Sequence, residues 1–325
     1  MSYSHFPKKE RGIALLMAIL IVVLATMLAV SVGTESYMDQ RRTSTIMALD
    51  QAYALGLGAE ALAANVLIED SKESTIDSAK EDWGTPINLP LDEGTGDIKG
   101  RLEDLQGRFN LNNLLKLDGT KNEAAVKQFE RLLEILGLDR RWANITVDWL
   151  DANTTAEPPD GAEDSVYAGQ SPPYLTANMA ITRTSELMFQ VGMTKAIYDK
   201  LEPFVSALPA GTGLNVCTAA AEVLDSLATT RTQFGNNTNT FTSNRANGCF
   251  PRLSEVKNDF RGDPDFDKLI ATYPDYLVET TNYFRVNILV TLGSTELAMY
   301  SVINRFGNGN NAKVRVIQRS FGTPY

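Results

Sequence analysis

The sequence predicts an α+β protein in which a long N-terminal helix packs on an antiparallel sheet that carries a large helical insertion. A helical pattern without a break runs from Ile13 to about Ile68. Strand patterns occur once near Asp97 and then only after residue 276, with helical periodicity filling most of the chain between them. A lone strand does not form a stable sheet, so we expect the early strand to pair with the C-terminal ones.

The first part of the long helix is an apolar segment that matches the thickness of a bilayer. Residues 13–32 carry no charge, and Thr26 and Ser31 are their only polar side chains. Basic residues precede the segment, which indicates that this flank is cytoplasmic and that the body lies across the membrane. The segment is too long for an ordinary secretory signal and no clear cleavage site follows it, so a plain signal anchor and a processed leader remain as alternatives.

The second part of the long helix should pack on the globular body. It contains no proline, and apolar residues recur at helical spacing. This stripe predicts the buried face, and its members are Ile46, Leu49, Tyr53, Leu57, Leu62 and Val66.

The remaining elements follow from periodicity and turn residues. Residues 84–96 form a turn-rich stretch with Pro86 and Pro90, and residues 97–105 alternate as a strand does. Helices are predicted in the insertion at residues 122–136, 140–151, 184–191, 195–201, 219–229, 252–259 and 264–273. Strands are predicted at residues 283–292, 296–305 and 313–320, with hairpin turns at Gly293-Ser294 and residues 307–310.

The composition excludes several classes of function. The 325 residues carry 30 Lys and Arg against 40 Asp and Glu, a net charge of −10, so a nucleic-acid backbone is not an expected partner. His5 is the one histidine, and Cys217 and Cys249 are the only cysteines. A Ser-His-Asp triad or a usual zinc site would have to use His5 or do without histidine.

The junction between the basic leader and the apolar helix resembles the type IV prepilin signal. The residues are Lys8-Lys9-Glu10-Arg11-Gly12-Ile13. In that family a prepilin peptidase cuts after the glycine and methylates the new N-terminus, which implies processing between Gly12 and Ile13. Pilins usually carry glutamate at the fifth mature position, where this chain has Met17. Its absence is typical of the K-type minor pseudopilin of type II secretion systems.

Four further segments resemble type II secretion system protein K and occur in the order found in that family. They are GRFNLNNL (107–114), WLDANTTAEPPDGAEDSVY (149–167), SELMFQVGM (185–193) and LPAGTGLNVCTAAAEVLDSL (208–227). The last segment has Cys217 where asparagine is usual.

This resemblance implies a type IV pilin-like fold whose insertion consists of two SAM-like helical domains. The implied divisions are a leader (1–12), a transmembrane half-helix (13–34), a pilin-like part (35–110), two helical inserts (111–206 and 207–275) and the C-terminal strands (276–325).

The implied function is that of a minor pseudopilin. It would cap the tip of the periplasmic pseudopilus and help initiate its assembly for protein export across the outer membrane. Expected partners are the I- and J-type minor pseudopilins, other pseudopilins, prepilin peptidase and the inner membrane, with a periplasmic body and no catalytic role. One alternative is a single-span periplasmic binding or adhesion protein with no assembly role. A carboxylate-based periplasmic hydrolase is another.

Acidic residues gather around one loop that bears proline and glycine. They are Asp148, Asp151, Glu157, Asp160, Glu163 and Asp164. Hard oxygen ligands on a flexible loop suit Ca²⁺, although a solvated acidic loop is the simpler interpretation. Members of the family bind calcium, so the resemblance makes Asp151, Asp160, Glu163 and Asp164 candidate ligands.

Two other features have more than one interpretation. The acidic cluster Asp259, Asp263, Asp265 and Asp267 fails as an EF-hand, because lysine and proline stand at its sixth and twelfth positions, and a cation bound in another geometry stays an alternative. In an oxidising periplasm, Cys217 and Cys249 should form one disulfide across a loop rich in Asn, Thr and Ser, with two buried thiols as the alternative.

Overall fold

The computed structural model describes residues 11–91, 94–229 and 234–322, and only the backbone of residues 11 and 12. The first ten residues of the predicted leader therefore lie outside the described part of the chain. The helices are α1 (Arg11–Glu73), α2 (Glu123–Ile135), α3 (Arg141–Leu150), α4 (Asp164–Tyr167), α5 (Lys195–Leu201), α6 (Ala221–Asp225), α7 (Thr238–Arg245), α8 (Leu253–Asp259) and α9 (Pro264–Thr272). The strands are β1 (Ile87–Pro90), β2 (Gly96–Asp104), β3 (Phe109–Asn110), β4 (Val205–Ser206), β5 (Leu214–Asn215), β6 (Leu277–Val278), β7 (Tyr283–Leu292), β8 (Thr295–Phe306) and β9 (Lys313–Phe321).

The predicted long helix is confirmed as α1, and its 63 residues span about 95 Å. Every residue from 13 to 47 is exposed. Among the described residues, this is the one helix that is long and apolar enough to cross a membrane.

The predicted pairing of the early strand with the C-terminal strands is also confirmed. An antiparallel five-stranded sheet has the order β1-β2-β7-β8-β9, with Ile98 opposite Val290 and Leu102 opposite Val286. The expectation of turns alone before residue 97 was wrong, because Ile87–Pro90 forms the edge strand β1. An edge position tolerates Pro90, since the missing N–H need not face a neighbouring strand.

Small residues, rather than the predicted large ones, form most of the buried face of α1. Ile46 and Leu62 are 59% and 41% exposed, so the predicted stripe was wrong at these positions. A Cβ atom on Gly56 would lie 3.3 Å from Met299 Cε, and this close approach leaves little room for larger side chains. The buried positions in the second half of α1 include Ala52, Gly56, Ala59, Ala63 and Leu67.

The insertion leaves the sheet after β2 and returns before β7. One apolar cluster extends through it from Phe109 to Leu277, and the rings of Phe109 and Phe129 stack at 5.0 Å. This cluster continues across residue 206, and the division into two SAM-like domains stays a prediction. Two pairs of very short parallel strands, β3 with β4 and β5 with β6, lie within this block.

The asparagines of the 107–114 segment join distant parts of the insertion. Asn112 Nδ2 donates to the carbonyl oxygens of Ile181 and Leu208 at 2.8 and 2.7 Å. Asn113 Oδ1 accepts from the backbone N–H of Gly211 at 2.8 Å. These buried amides satisfy loop backbone groups that would otherwise be unpaired, which gives this motif a structural role.

Helix boundaries differ from the sequence prediction mainly in the polar parts of the insertion. Residues 238–245, predicted as loop, form α7. Residues 184–189 form a 3₁₀ helix in place of an α-helix, and residues 219–229 are helical only over Ala221–Asp225. Polar composition hides α7 from a periodicity search, because Phe241 is its only buried residue.

Candidate metal centre

The acidic loop begins at the end of α3, a helix whose residues from Trp142 to Leu150 are all buried. Because this helix lies in the core, its Asp148 is buried in the interior. Asp148 accepts hydrogen bonds from the N–H of Glu157 at 3.0 and 3.2 Å. A Cβ atom on Gly161 would collide with Asp148 Oδ2, so glycine is required where the loop passes this carboxylate.

Three carboxylates of this region are buried, and the charges of two of them act on the third. Asp148, Asp151 and Glu163 are 0%, 6% and 3% exposed. In the described part of the chain none of the three forms an ion pair, whereas Lys121 pairs with Glu157 at 2.8 Å. Three buried carboxylates without a cation are unfavourable when ionised.

The pKa values of these groups reflect the free-energy cost of ionising them in the interior. Burial raises the pKa of Glu163 to about 7, and the charges of Asp148 and Asp151 add to the rise. Burial likewise raises the pKa of Asp148 to about 6 and moves the pKa of Asp151 upward. A divalent cation would favour the ionised form of all three groups.

The other two predicted ligands are placed differently. Asp160 is exposed on the loop. Asp164 Oδ1 accepts from the N–H and hydroxyl of Thr176 at 3.0 and 2.6 Å, and these hydrogen bonds lower the pKa of Asp164. The structure thus buries Asp151 and Glu163 with Asp148, leaves Asp160 at the surface, and uses one oxygen of Asp164 to hold a neighbouring segment.

Glu163 supplies a direct test of whether this cluster fits a cation. Its Oε1 atom is buried and has no hydrogen-bond partner. Buried carboxylate oxygens normally have donors, so an oxygen without one, beside two other buried carboxylates, fits a hard cation such as Ca²⁺.

The second acidic cluster has a structural role instead. Asp263 caps α9 by accepting from the N–H groups of Asp265 and Phe266, and it also accepts from the N–H of Thr229. Asp265 pairs with Lys127 and Arg131, both at 2.9 Å. With their oxygens bonded in this way, Asp263 and Asp265 need no metal.

Cys217 and Cys249 form a disulfide, as predicted. Arg245 lies within the closed loop, where it stacks on Phe241 at 4.3 Å and donates to the Phe250 and Val216 carbonyl oxygens.

A buried polar junction near the disulfide was not predicted. Asn215 Nδ2 lies 2.9 Å from Asp104 Oδ2, 2.8 Å from Thr281 Oγ1 and 3.0 Å from the Asp77 carbonyl oxygen. Asp104 ends β2 where the chain enters the insertion, and Thr281 stands just before β7 where the chain returns. Burial raises the pKa of Asp104.

The same junction reaches the end of α1. Arg305 on β8 donates to Asp70 in the last turns of α1 at 2.8 Å and to Asp77 at 2.5 Å. It also donates to the Thr281 carbonyl oxygen at 2.8 Å. These contacts attach the insertion at the end of α1 farthest from the N-terminus. The sequence pattern of β8 could have indicated that Arg305 is buried. Side chains alternate between the two faces of a strand, and Arg305 lies on the same face as the buried Met299 and Ile303.

The arrangement of long helix, sheet and inserted helical block is shared with known proteins. Residues 107–210 match the family model described as type II secretion system (T2SS), protein K. The chain is 32% identical over 330 residues to type II secretion system protein K of Pseudomonas aeruginosa, covering 96% of this chain and 93% of the relative.

The chain belongs to the type II secretion system protein K family.

A second protein K, from Pectobacterium carotovorum subsp. carotovorum, is 28% identical over 97% of both chains. Among solved structures, a chain of the GspK-GspI-GspJ complex from the enterotoxigenic Escherichia coli Type 2 Secretion System matches with a TM-score of 0.72 at 24% identity. The match covers 87% of this chain and 99% of the other. The resemblance to protein K found in the sequence is thereby confirmed, and so is the α+β fold of long N-terminal helix, antiparallel sheet and helical insertion.

Proposed function

We propose that this protein is a minor pseudopilin that caps the tip of the periplasmic pseudopilus and helps initiate its assembly for protein export across the outer membrane. The observation that supports this proposal most is the solvent exposure of α1. Its exposed part continues past the apolar segment to residue 47, with Ile46 and Met47 59% and 67% exposed. Large exposed apolar side chains on a helix beyond the membrane indicate packing against other helices.

The I- and J-type minor pseudopilins are the partners that we infer for this exposed surface. The similar solved structure is a complex of GspK with GspI and GspJ, which supports this inference. Helix-on-helix packing would remove the exposed side chains of α1 from water.

The position of the insertion supports capping. The buried junction holds the insertion at the membrane-distal end of α1, where a further subunit of a parallel helical bundle would have to stack. Met17 supports the same position, because a subunit with no carboxylate there has nothing to pair with the terminal amine of a subunit ahead.

We further propose that prepilin peptidase cleaves between Gly12 and Ile13 in the inner membrane and leaves the body in the periplasm. The apolar segment of α1 supplies the anchor. The disulfide between Cys217 and Cys249 supports an oxidising compartment.

Calcium is the cofactor that we propose for the acidic loop. Asp148, Asp151 and Glu163 would hold it, and the bound ion would neutralise their charge and order the loop. Asp160 and Asp164, both also candidates from the sequence, would not be central ligands, because one is exposed and the other binds Thr176.

A cross-linking experiment tests the capping proposal. A photoreactive residue is placed at Met47 on α1 or at Leu117, which is 81% exposed on the insertion, in cells that assemble pseudopili. Cross-links from Met47 to the I- or J-type subunit, with none from Leu117 to any pseudopilin, are expected. A cross-link from Leu117 to a stacked pseudopilin would contradict capping.

A further inference from the structure

A cavity of about 210 Å³ lies where three segments of the insertion meet. Residues between 113 and 122, Gly211 and residues 272–276 form its wall. Leu117 forms part of the rim, since a Cβ atom on Gly211 would lie 3.6 Å from Leu117 Cδ2. Drug-sized ligands occupy cavities of about 300–1,000 Å³, so this smaller one has room for a single large side chain or a molecule of similar size.

Hydrogen bonds hold the three segments of the wall together. Asn113 accepts from the N–H of Gly211 at 2.8 Å and donates to the Thr212 carbonyl oxygen at 2.9 Å. The N–H of Leu214 donates to the Tyr276 carbonyl oxygen at 2.7 Å. The cavity is therefore formed before a ligand arrives, as binding sites for small ligands usually are.

Most polar side chains of the wall are already paired within the protein. The Tyr276 hydroxyl donates to Gln128 Oε1 at 2.6 Å, and the Thr272 hydroxyl donates to the Lys268 carbonyl oxygen at 2.7 Å. Asn122 Nδ2 donates to a backbone carbonyl oxygen of the same wall at 2.9 Å. These groups shape the cavity but leave little bonding capacity for a ligand.

Two polar groups of the described wall remain for a ligand. The hydroxyl oxygen of Tyr273 is buried and has no hydrogen-bond partner, and burial raises the pKa of Tyr273, so the hydroxyl keeps a proton to donate. Asp275 is exposed and forms no ion pair within the described part of the chain. It is the one charged residue of the described wall, so the cavity offers a negative group for an ammonium ion.

We propose that this cavity binds an α-amino amide with an apolar side chain. The side chain would lie beside Leu115 and Leu117, the ammonium group would face Asp275, and the carbonyl oxygen would accept from Tyr273. Such a group occurs in a free small molecule and in the N-terminal residue of a peptide. The net charge of −10 also favours a cationic ligand over an anionic one. This inference does not depend on the capping proposal.

Titration of the full chain in detergent with phenylalaninamide, followed by ligand-observed NMR, tests the proposal. N-acetylphenylalaninamide keeps the ring and the carbonyl groups but has no positive charge. Asp275→Asn removes the negative charge, and Tyr273→Phe removes the hydroxyl while keeping the ring. Asp267→Asn is the matched control, because Asp267 is an exposed residue of α9 that does not line the cavity.

The native chain should bind phenylalaninamide with a dissociation constant of about 1 mM or tighter. Asp275→Asn and Tyr273→Phe should each weaken this binding by about fivefold, and Asp267→Asn should not. The acetylated probe should bind the native chain more weakly and should not respond to Asp275→Asn. No binding by the native chain, or native-like binding by Asp275→Asn, would overturn the proposal.

A tripeptide separates the two sources of the ligand. Phenylalanyl-glycyl-glycinamide carries the same amine, ring and carbonyl group at the start of a chain. Binding as tight as that of phenylalaninamide would support the N-terminal residue of a peptide as the occupant. Loss of binding would overturn the peptide source and support a free small amine.

Discussion

Asn215 donates a hydrogen bond of 2.9 Å to Asp104, and this contact joins the insertion to the strand from which the insertion departs. The same amide lies 2.8 Å from Thr281, at the point where the chain returns to the sheet. Entry and exit of the insertion are thus held by one buried side chain that belongs to the insertion itself. Asn215 belongs to the 208–227 segment, so this contact gives one residue of that family-like segment a structural role.

Replacing Asn215 with alanine should destabilise the protein strongly. The change leaves Asp104 and the Asp77 carbonyl oxygen with fewer donors in the interior, which should lower the free energy of unfolding by about 2–4 kcal/mol. Denaturant unfolding of the full chain in detergent, followed by tryptophan fluorescence, measures the loss. Asn247→Ala is the exposed control, and a loss in Asn215→Ala no larger than in that control would disprove the importance of the junction.

Mutations of the buried and the exposed face of α1 should affect different properties, stability in the first case and partner binding in the second. Ala52→Leu overpacks the buried face and should cost about 1–3 kcal/mol of stability. Ile46→Ala alters the exposed face and should leave stability within about 0.5 kcal/mol while reducing recovery of the I- and J-type subunits in a pull-down. If Ile46→Ala retains full partner recovery, this region of α1 is not part of the partner surface.

The disulfide should stabilise the second half of the insertion. Closing a loop between Cys217 and Cys249 is expected to contribute about 3–4 kcal/mol on the chain-entropy model. The double variant Cys217→Ser, Cys249→Ser should lose most of this, and protease sensitivity of residues 234–250 should rise. Unchanged protease resistance would show that the aromatic packing of Phe234, Phe241 and Phe250 holds this region alone.

Calcium should stabilise the protein more at higher pH. The pKa of Glu163 is raised to about 7 and that of Asp148 to about 6. Because these values exceed the pKa values of the same groups in the unfolded chain, about 4, the two groups stabilise the metal-free fold most at a pH below about 4. That contribution is lost as the pH rises through 6–7, where the ionised groups become available to the ion. Calcium should therefore raise the melting temperature, relative to the chelator-treated protein, by more at about pH 8 than at about pH 5.

Glu163→Gln provides the control for this pH dependence. Glutamine retains the size of the side chain but cannot ionise, so both the calcium effect and much of its pH dependence should fall. A calcium-induced rise in melting temperature that is equal at both pH values would contradict the role of these carboxylates.

The sequence predicted large elements better than the packing between them. The length of α1 and the three C-terminal strands follow from periodicity and turn residues, which are local signals. The pairing of the early strand with the C-terminal ones was expected because a lone strand is not stable, but its specific neighbour, β7, was not predicted. The packed face of α1 did not follow, because Gly56 and Ala59 are buried by the shape of the facing sheet rather than by their own hydrophobicity. Edge strand β1 was hidden by Pro86, which precedes it, and by Pro90, its last residue.

The acidic residues of the loop are visible in the sequence, but their arrangement is not. The cluster alone suits a solvated loop as well as a cation. Burial distinguishes Asp148 and Glu163 from the exposed Asp160, and burial depends on tertiary structure. The junction through Asp104 was missed for the same reason.

The most direct test of the central claim is the mass of the N-terminus of the full chain, purified from cells with and without prepilin peptidase. The minor pseudopilin account predicts a chain that starts at methylated Ile13 only when the peptidase is present. A leader that remains intact in both kinds of cell would contradict the account and favour a protein anchored permanently by its first helix.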